Sequence, residues 1–254
     1  MKGLVNISVA DLRREPAFQS ERVSQALFNT PAELWDEKDN YVSAVLPDGY
    51  AGWMKKSHLF YPASKSFSDK SQKVSIPFLQ VFAPDRKRKV SVLTFNTAVR
   101  EFRHSGGWTI VGSNEKVLGW VKREGLADPA KTRFSVADLI NKGMEFFGTP
   151  YLWGGISSFG FDCSGYLFTL FDFFGKKIPR DTREQIKAGE KVPFEKIKPG
   201  DFLFFPGHVA LYTGQNKILH ANLRGGGVTL DSIRKSDKNY NPVIENLTCA
   251  RRLI

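Results

Sequence analysis

Sliding the chain against itself by 67 residues lays residues 23–59 over residues 90–126 without a gap (Val23 over Val90). Phe28-Asn29-Thr30 then meets Phe95-Asn96-Thr97, Tyr41 meets Trp108, Gly52-Trp53 meets Gly119-Trp120 and Leu59 meets Leu126. Such a repeat restricts the fold severely, because whatever one copy forms the other must form as well. Two copies are too few for a solenoid, so the pattern predicts two tandem small domains. Within each copy "YVSAVL" and "WTIVGS" alternate or run apolar, and "DGY" and "GG" supply turn chemistry, so both copies read as short strands.

"GYAGWMK" and "VLGWVK" look like strands that end a small barrel, and roughly five strands in about 60 residues suit an SH3-like barrel. The polar, Ser/Lys-rich "YPASKSFSDKSQK" (61–73) reads as a linker, and "ADPAKTRF" (127–134) marks a second boundary. The expected domains are therefore residues 1–62, 63–130 and 131–254. Beyond residue 134 the texture changes. "SVADLINKGMEFFGTP" offers Ser135 as an N-cap and Val136, Leu139, Ile140 and Met144 as a helical stripe, ended by Gly148 and Pro150. "DCSGYLFTLFDFFG" reads as a second helix closed by Gly175. The strand-like runs "DFLFFPG", "HVALYTG", "KILHAN", "GVTLDSI" and "LTCARRLI" follow. Helices first and strands afterwards give an α+β domain with a largely antiparallel sheet.

Composition excludes several classes. At 41% hydrophobic and 25% charged residues, the chain has ordinary globular composition, and no run approaches the roughly 20 apolar residues of a membrane span. "MKGLVNISVADLRREP" lacks an apolar h-region, so a cytoplasmic location is expected of the chain as written, and a periplasmic or secreted one if a leader has been removed. The formal net charge of +11 and the run "RKRK" (86–89) bring nucleic acid into consideration. The same field would draw an anionic wall polymer or peptide, and no nucleic-acid partner is expected. Two cysteines allow at most one disulfide, and the four histidines show no metal-ligand spacing, so neither a metal nor any other cofactor is expected.

Chemistry concentrates at Cys163. It stands in the first turn of the second predicted helix, after the Gly/Ser-rich loop "WGGISSFGFD". Unpaired N–H groups and the macrodipole there would lower a thiol's pKa and could also bind a developing oxyanion. His208 begins a strand after a Pro-Gly turn, and His220 ends the next strand twelve residues on. On paired antiparallel strands the two rings can lie side by side, the second accepting from Nδ1–H of the first as an orienting group does. A lone cysteine in an apolar run is more often a packed core residue. Three such groups at element ends in one domain favour the catalytic reading, whereas Cys249 in "LTCARRLI" has no such context and reads as structural. Asp162 can serve equally as the N-cap of the Cys163 helix or as a carboxylate for a substrate ammonium.

"GTPYLWGGISSFGFDCSG", "IPRDTREQ" and "GDFLFFPGHVALYTGQNKILHAN" together resemble the NlpC-type family of bacterial cell-wall cysteine peptidases over residues 135–254. The resemblance implies a papain-like catalytic domain with Cys163 as nucleophile, His208 as general base then acid, His220 as orienter and Tyr151 at the oxyanion site. It makes the repeats bacterial SH3-like domains, "VADLRREP" and "ERVSQALF" being typical of the first. Two such domains before the catalytic one are similar to the γ-D-glutamyl-L-diamino acid endopeptidases. That similarity implies cleavage of γ-D-glutamyl–diaminopimelate or -Lys bonds in free muropeptides with an N-terminal L-Ala; separately, the chain is expected to be a monomer. Asp162, Ser164, Trp153, Tyr50 and Glu21 are its substrate-binding candidates, with Glu15 competing for the place of Glu21. Only the first repeat is expected to offer an exposed tyrosine, since "NEKVLGW" replaces "PDGYAGW" in the second. A muramoyl–L-alanine amidase, a hydrolase of intact sacculi and a non-catalytic polymer- or nucleic-acid-binding protein are the rival readings.

Overall fold

The computed structural model describes residues 1–61, 71–113 and 116–253. The chain divides into two compact units, Met1–Thr132 and Arg133–Ile254. The boundary expected between residues 62 and 63 falls outside the described residues, as does most of the proposed linker.

The first unit repeats one topology twice. Taken in chain order within each copy, the strands of both seven-stranded sheets are arranged 3-2-6-5-4-1-7. Pairing is antiparallel throughout, as short connections between sequential strands require. The 67-residue offset relates Arg22–Leu27 to Lys89–Thr94, Pro31–Lys38 to Ala98–Ser105 and Tyr41–Val45 to Trp108–Gly112. Among the described residues each copy has seven strands rather than about five, because pieces such as Leu59–Phe60 are too short to show an alternating pattern. The repeated "FNT" has a conformational cause. Asn29 and Asn96 both adopt the left-handed region, with φ of 66° and 67°, where asparagine is among the few side chains tolerated.

Each barrel closes its own core. Leu12, Ala26, Leu34, Val42 and Met54 fill the first, and Val74, Leu79, Leu93, Val111 and Val121 the second. The two are not independent, since Phe28 of the first copy is buried in the second core. Ser8 donates to the carbonyl of Val92 and Asn29 Nδ2 to that of Ala98 at 3.2 Å.

In the second unit, helix α1 (Val136–Met144) starts where Ser135 accepts from the backbone N–H of Asp138, as an N-cap side chain does. Helix α2 (Cys163–Phe173) is capped by Asp162 and buried on nearly every side, which is why its sequence lacks a polar stripe. A short third helix, α3 (Thr182–Gln185), follows. The sheet comprises β1 (Glu190–Val192), β2 (Phe202–Phe205), β3 (His208–Gly214), β4 (Lys217–Asn222), β5 (Gly227–Ser232) and β6 (Cys249–Arg252), in the antiparallel order β1-β6-β2-β3-β4-β5. Of the described strands in this sheet, β1, three residues long, escaped the sequence reading, as did the short paired strands Ile156–Ser157 and Gly160–Phe161 before α2.

Helix α2 packs on β3 and β4. Phe171 meets Phe202 edge-on, with ring centres 5.2 Å apart, and Phe161 meets Tyr166 in the same manner at 5.4 Å, the geometry aromatic quadrupoles favour. Close approach fixes a glycine at Gly165, where a Cβ would fall 2.2 Å from the carbonyl oxygen of Gly155. That contact presses the start of α2 against the loop before it. No helix among the described residues is long and apolar enough to cross a membrane.

Candidate active site

The start of α2, the start of β3 and the end of β4 converge. Asp162 Oδ1 accepts from Gly165 N–H at 2.6 Å, which orders the first turn and sets Cys163 at the positive end of the helix. The backbone N–H groups of Val209 and Ser164 act on the Cys163 sulfur, and Thr182 Oγ1 lies 3.8 Å from Sγ. Val209 directly follows His208, so its contact with the sulfur brings the first residue of β3 to the start of α2.

Leu211 pairs with Leu219 across β3 and β4. That register puts His208 and His220 on one face in diagonal positions, within reach of long side chains. Their rings meet with His208 Nε2 2.8 Å from His220 Nδ1. The expected contact through Nδ1 of His208 is therefore corrected: Nε2 is the nitrogen that faces His220. The reason is direction, since a ring reaching diagonally from the edge of β3 toward β4 extends its far nitrogen first. His220 continues the chain, its Nε2 lying 3.1 Å from Asp231 Oδ2 on β5. Asp231 Oδ2 also accepts from Asn241 Nδ2 at 2.5 Å. Sequence reasoning missed Asp231, although an aspartate inside the apolar strand "GVTLDSI" was the available signal. Thr229 lies opposite His220, so Asp231, two residues on, shares its face.

Burial sets the charge state of this pair. It pushes the Cys163 thiol up, and the negative charge of Asp162 adds to that. The Val209 N–H, the Thr182 hydroxyl and the Ser164 N–H pull the other way. The helix start was expected to lower the thiol; desolvation outweighs it. Burial likewise takes His208 down to about 3, helped by His220 and opposed by Asp231. Both shifts favour the neutral thiol and the neutral imidazole. Burial also raises Asp231, but hydrogen bonds from His220 and Asn241 outweigh it and hold the carboxyl below its ordinary value.

Asp162 takes the N-cap role, and its charge is already matched. Arg180, whose side chain is 3% exposed, donates Nη2–H to Oδ2 at 2.6 Å and Nη1–H to Oδ1 at 3.1 Å. Arg180 also donates to Ser164 Oγ at 3.1 Å, and Ser164 donates to Asp162 Oδ1 at 3.2 Å. Both residues are buried and engaged with one another at the helix start. Gln185 ties the same segment down, donating to the carbonyls of Pro179 and Ser164 at 2.8 and 3.3 Å. The motif "IPRDTREQ" thus has a physical role that its residues alone did not disclose.

Tyr151 is half-buried, and its backbone N–H donates to the carbonyl of Gly226 at 2.9 Å. Burial pushes its phenol up, and the negative charge of Asp162 adds to that. The hydroxyl therefore stays protonated and able to donate. Trp153 is 59% exposed, as a ring presented to a ligand would be.

The candidates on the first unit have local partners. Tyr50 is half-buried rather than exposed, and its hydroxyl donates to the carbonyl of Val23 at 3.0 Å. The "DGY" turn folds the ring back onto its own barrel core. Glu21 is paired with Arg14, which donates Nε–H to it at 2.7 Å.

Comparison with known proteins gives a consistent picture. The NlpC/P60 family profile matches residues 148–245, and the profile of the bacterial dipeptidyl-peptidase SH3 domain matches residues 12–59. The chain is 31% identical to a γ-D-glutamyl-L-lysine dipeptidyl-peptidase of Bacillus subtilis, over 90% of this chain and 80% of that one. It is 26% identical to dipeptidyl-peptidase 6 of Lysinibacillus sphaericus, over 94% of each. The crystal structure of an NlpC/P60 family protein from Bacillus cereus superposes with a TM-score of 0.85 at 24% identity, covering 100% of this chain and 99% of that one. That similarity carries the fold through both barrels and the catalytic domain.

Proposed function

The chain belongs to the NlpC/P60 family, and from that premise we propose that it is a cysteine peptidase cutting the γ-D-glutamyl bond to a diamino acid in peptidoglycan stem peptides. The named relatives of matching length support the reaction class. One observation carries the assignment to particular residues: the sulfur at the start of α2 meets the backbone of Val209, and the adjacent His208 is tied to His220 at 2.8 Å.

The reaction follows from the resting neutral pair. As Cys163 Sγ attacks the γ-carbonyl carbon, His208 Nδ1 takes the thiol proton, so no isolated charge has to exist in the buried site beforehand. The carbonyl oxygen gains the negative charge and is met by the Tyr151 hydroxyl and N–H groups at the start of α2. Collapse breaks the C–N bond. The amine of the diamino acid leaves with the proton from His208, and the glutamyl carbon remains on sulfur as a thioester. Water, giving a proton to His208, attacks the thioester. The acid is released, and the proton returns to the sulfur.

Free stem peptides beginning with L-Ala are the substrates this reading favours, since the relatives covering both barrels are named dipeptidyl-peptidases. The test is incubation with L-Ala-γ-D-Glu-L-Lys, its diaminopimelate counterpart, N-acylated versions and intact sacculi, with products identified by mass. Release of L-Ala-D-Glu from the free peptides supports the proposal. Cleavage only next to muramic acid, or no cleavage of any peptide, overturns it.

A further inference from the structure

On the reading that Cys163 is the nucleophile and His208 its base, we propose that Asp231 is a positioning residue. It acts through His220 to hold His208 in the tautomer whose Nδ1 can accept the thiol proton. A neutral imidazole has one donor nitrogen and one acceptor nitrogen, so a chain of two imidazoles transmits a choice made at its far end. Asp231 makes that choice. Its carboxylate can only accept, and it lies 3.1 Å from His220 Nε2, so the His220 proton sits on Nε2. His220 Nδ1 is then an acceptor, and across 2.8 Å it takes Nε2–H from His208. With that proton on Nε2, His208 Nδ1 keeps its lone pair. Reversing the far end reverses every step: a proton on His220 Nδ1 would face His208 Nε2, place the His208 proton on Nδ1 and remove the base.

The arrangement is built to hold. His220 is 1% exposed, so no solvent competes for its nitrogens. Asn241 Nδ2 donates at 2.5 Å to the same oxygen that receives His220. Asn241 is anchored in turn, its Oδ1 accepting from Val243 N–H at 3.1 Å. A surface carboxylate serving only solubility would need none of this.

The experiment is a two-bond ¹H–¹⁵N histidine correlation spectrum of the full chain, which reports which ring nitrogen holds the proton, with steady-state kinetics on the same samples. The wild type is expected to show Nε2–H on both His208 and His220. Asp231→Ala should populate Nδ1–H on both rings and lower kcat by roughly 10²-fold, leaving KM within about twofold because no substrate contact is removed. Asp231→Asn can still present a carbonyl oxygen to His220 and Asn241. It should keep the wild-type tautomers and most of kcat, which rescues the effect and covers the case of an Ala variant that fails to fold. Nδ1–H on wild-type His208, or wild-type tautomers and kcat in Asp231→Ala, overturns the proposal. So does an Asn variant that stays folded but behaves no better than Ala. The spectrum does not depend on turnover, so its outcome is separate from that of the underlying reading, which instead fails if Cys163→Ala remains active.

Discussion

Replacing Arg180 by methionine removes a guanidinium while keeping much of its buried volume. The structure fixes what is then left behind. The Asp162 carboxylate, with its side chain 11% exposed, loses both guanidinium hydrogen bonds and retains only Gly165 N–H and the Ser164 hydroxyl. Breaking a buried pair from one side costs about 3–5 kcal/mol, because a charge stays buried without its partner. A domain of this size is stable by only about 5–15 kcal/mol, so the loss is a large fraction of the whole. Asp162→Asn makes the converse cut. It keeps a side-chain oxygen for the cap but takes the carboxylate from Arg180, which retains the Ser164 hydroxyl and Asp181 at 3.8 Å, and should cost somewhat less. The double variant buries no unpaired charge, so its cost should fall short of the sum by about 2–3 kcal/mol. Hydrogen exchange at the α2 amides between Tyr166 and Phe171 reads this in the full chain, and the Arg180→Met variant should exchange roughly 10²–10⁴-fold faster there. Single variants costing less than about 1 kcal/mol, or costs that simply add, would refute the view that this pair holds the start of the catalytic helix.

Three further outcomes are expected. Because burial takes His208 down to about 3, it stays neutral and able to accept a proton below the ordinary histidine range. kcat/KM should therefore hold steady from pH 7 to pH 5, whereas half-loss near pH 6.5 would contradict the resting neutral pair. Tyr151→Phe removes a phenol held protonated by burial and should lower kcat by about 10²–10³-fold with little change in KM; unchanged turnover would take Tyr151 out of the oxyanion site. Tyr50→Ala tests the sequence-based expectation that the first barrel reads a free amino terminus. KM should rise for free-amine peptides and not for N-acylated ones, and an equal effect on both would end that expectation.

The parts of the fold that one segment decides for itself were readable in the sequence. The repeat was legible because the same side chains recur at one offset, and Ser135 and Asp162 announced their helices because an N-cap acts within three residues. Strands β2 to β6 stood out as apolar runs between turns. What escaped depends on partners far apart in sequence. Phe28 lies in the first repeat yet fills the core of the second. Arg180 is separated from the cap it neutralises by 18 residues. That His208 and His220 meet could be anticipated from element ends, but not the ring nitrogen used, because that depends on register and reach. Asp231 was hidden for a similar reason: its meaning depends on β5 lying beside β4. The thiol's charge state was misread because a helix terminus is visible in sequence and the depth of burial is not.

The central claim is that one sulfur, Cys163, carries the acyl group between the two halves of the reaction. Mass spectrometry of acid-quenched enzyme and L-Ala-γ-D-Glu-L-Lys, with Cys163→Ala run in parallel, tests it directly. The account predicts an L-alanyl-γ-D-glutamyl adduct on the peptide containing Cys163, and a Cys163→Ala protein that folds as the wild type but releases no product. Turnover by the Cys163→Ala protein, or the adduct on any other residue, would contradict it.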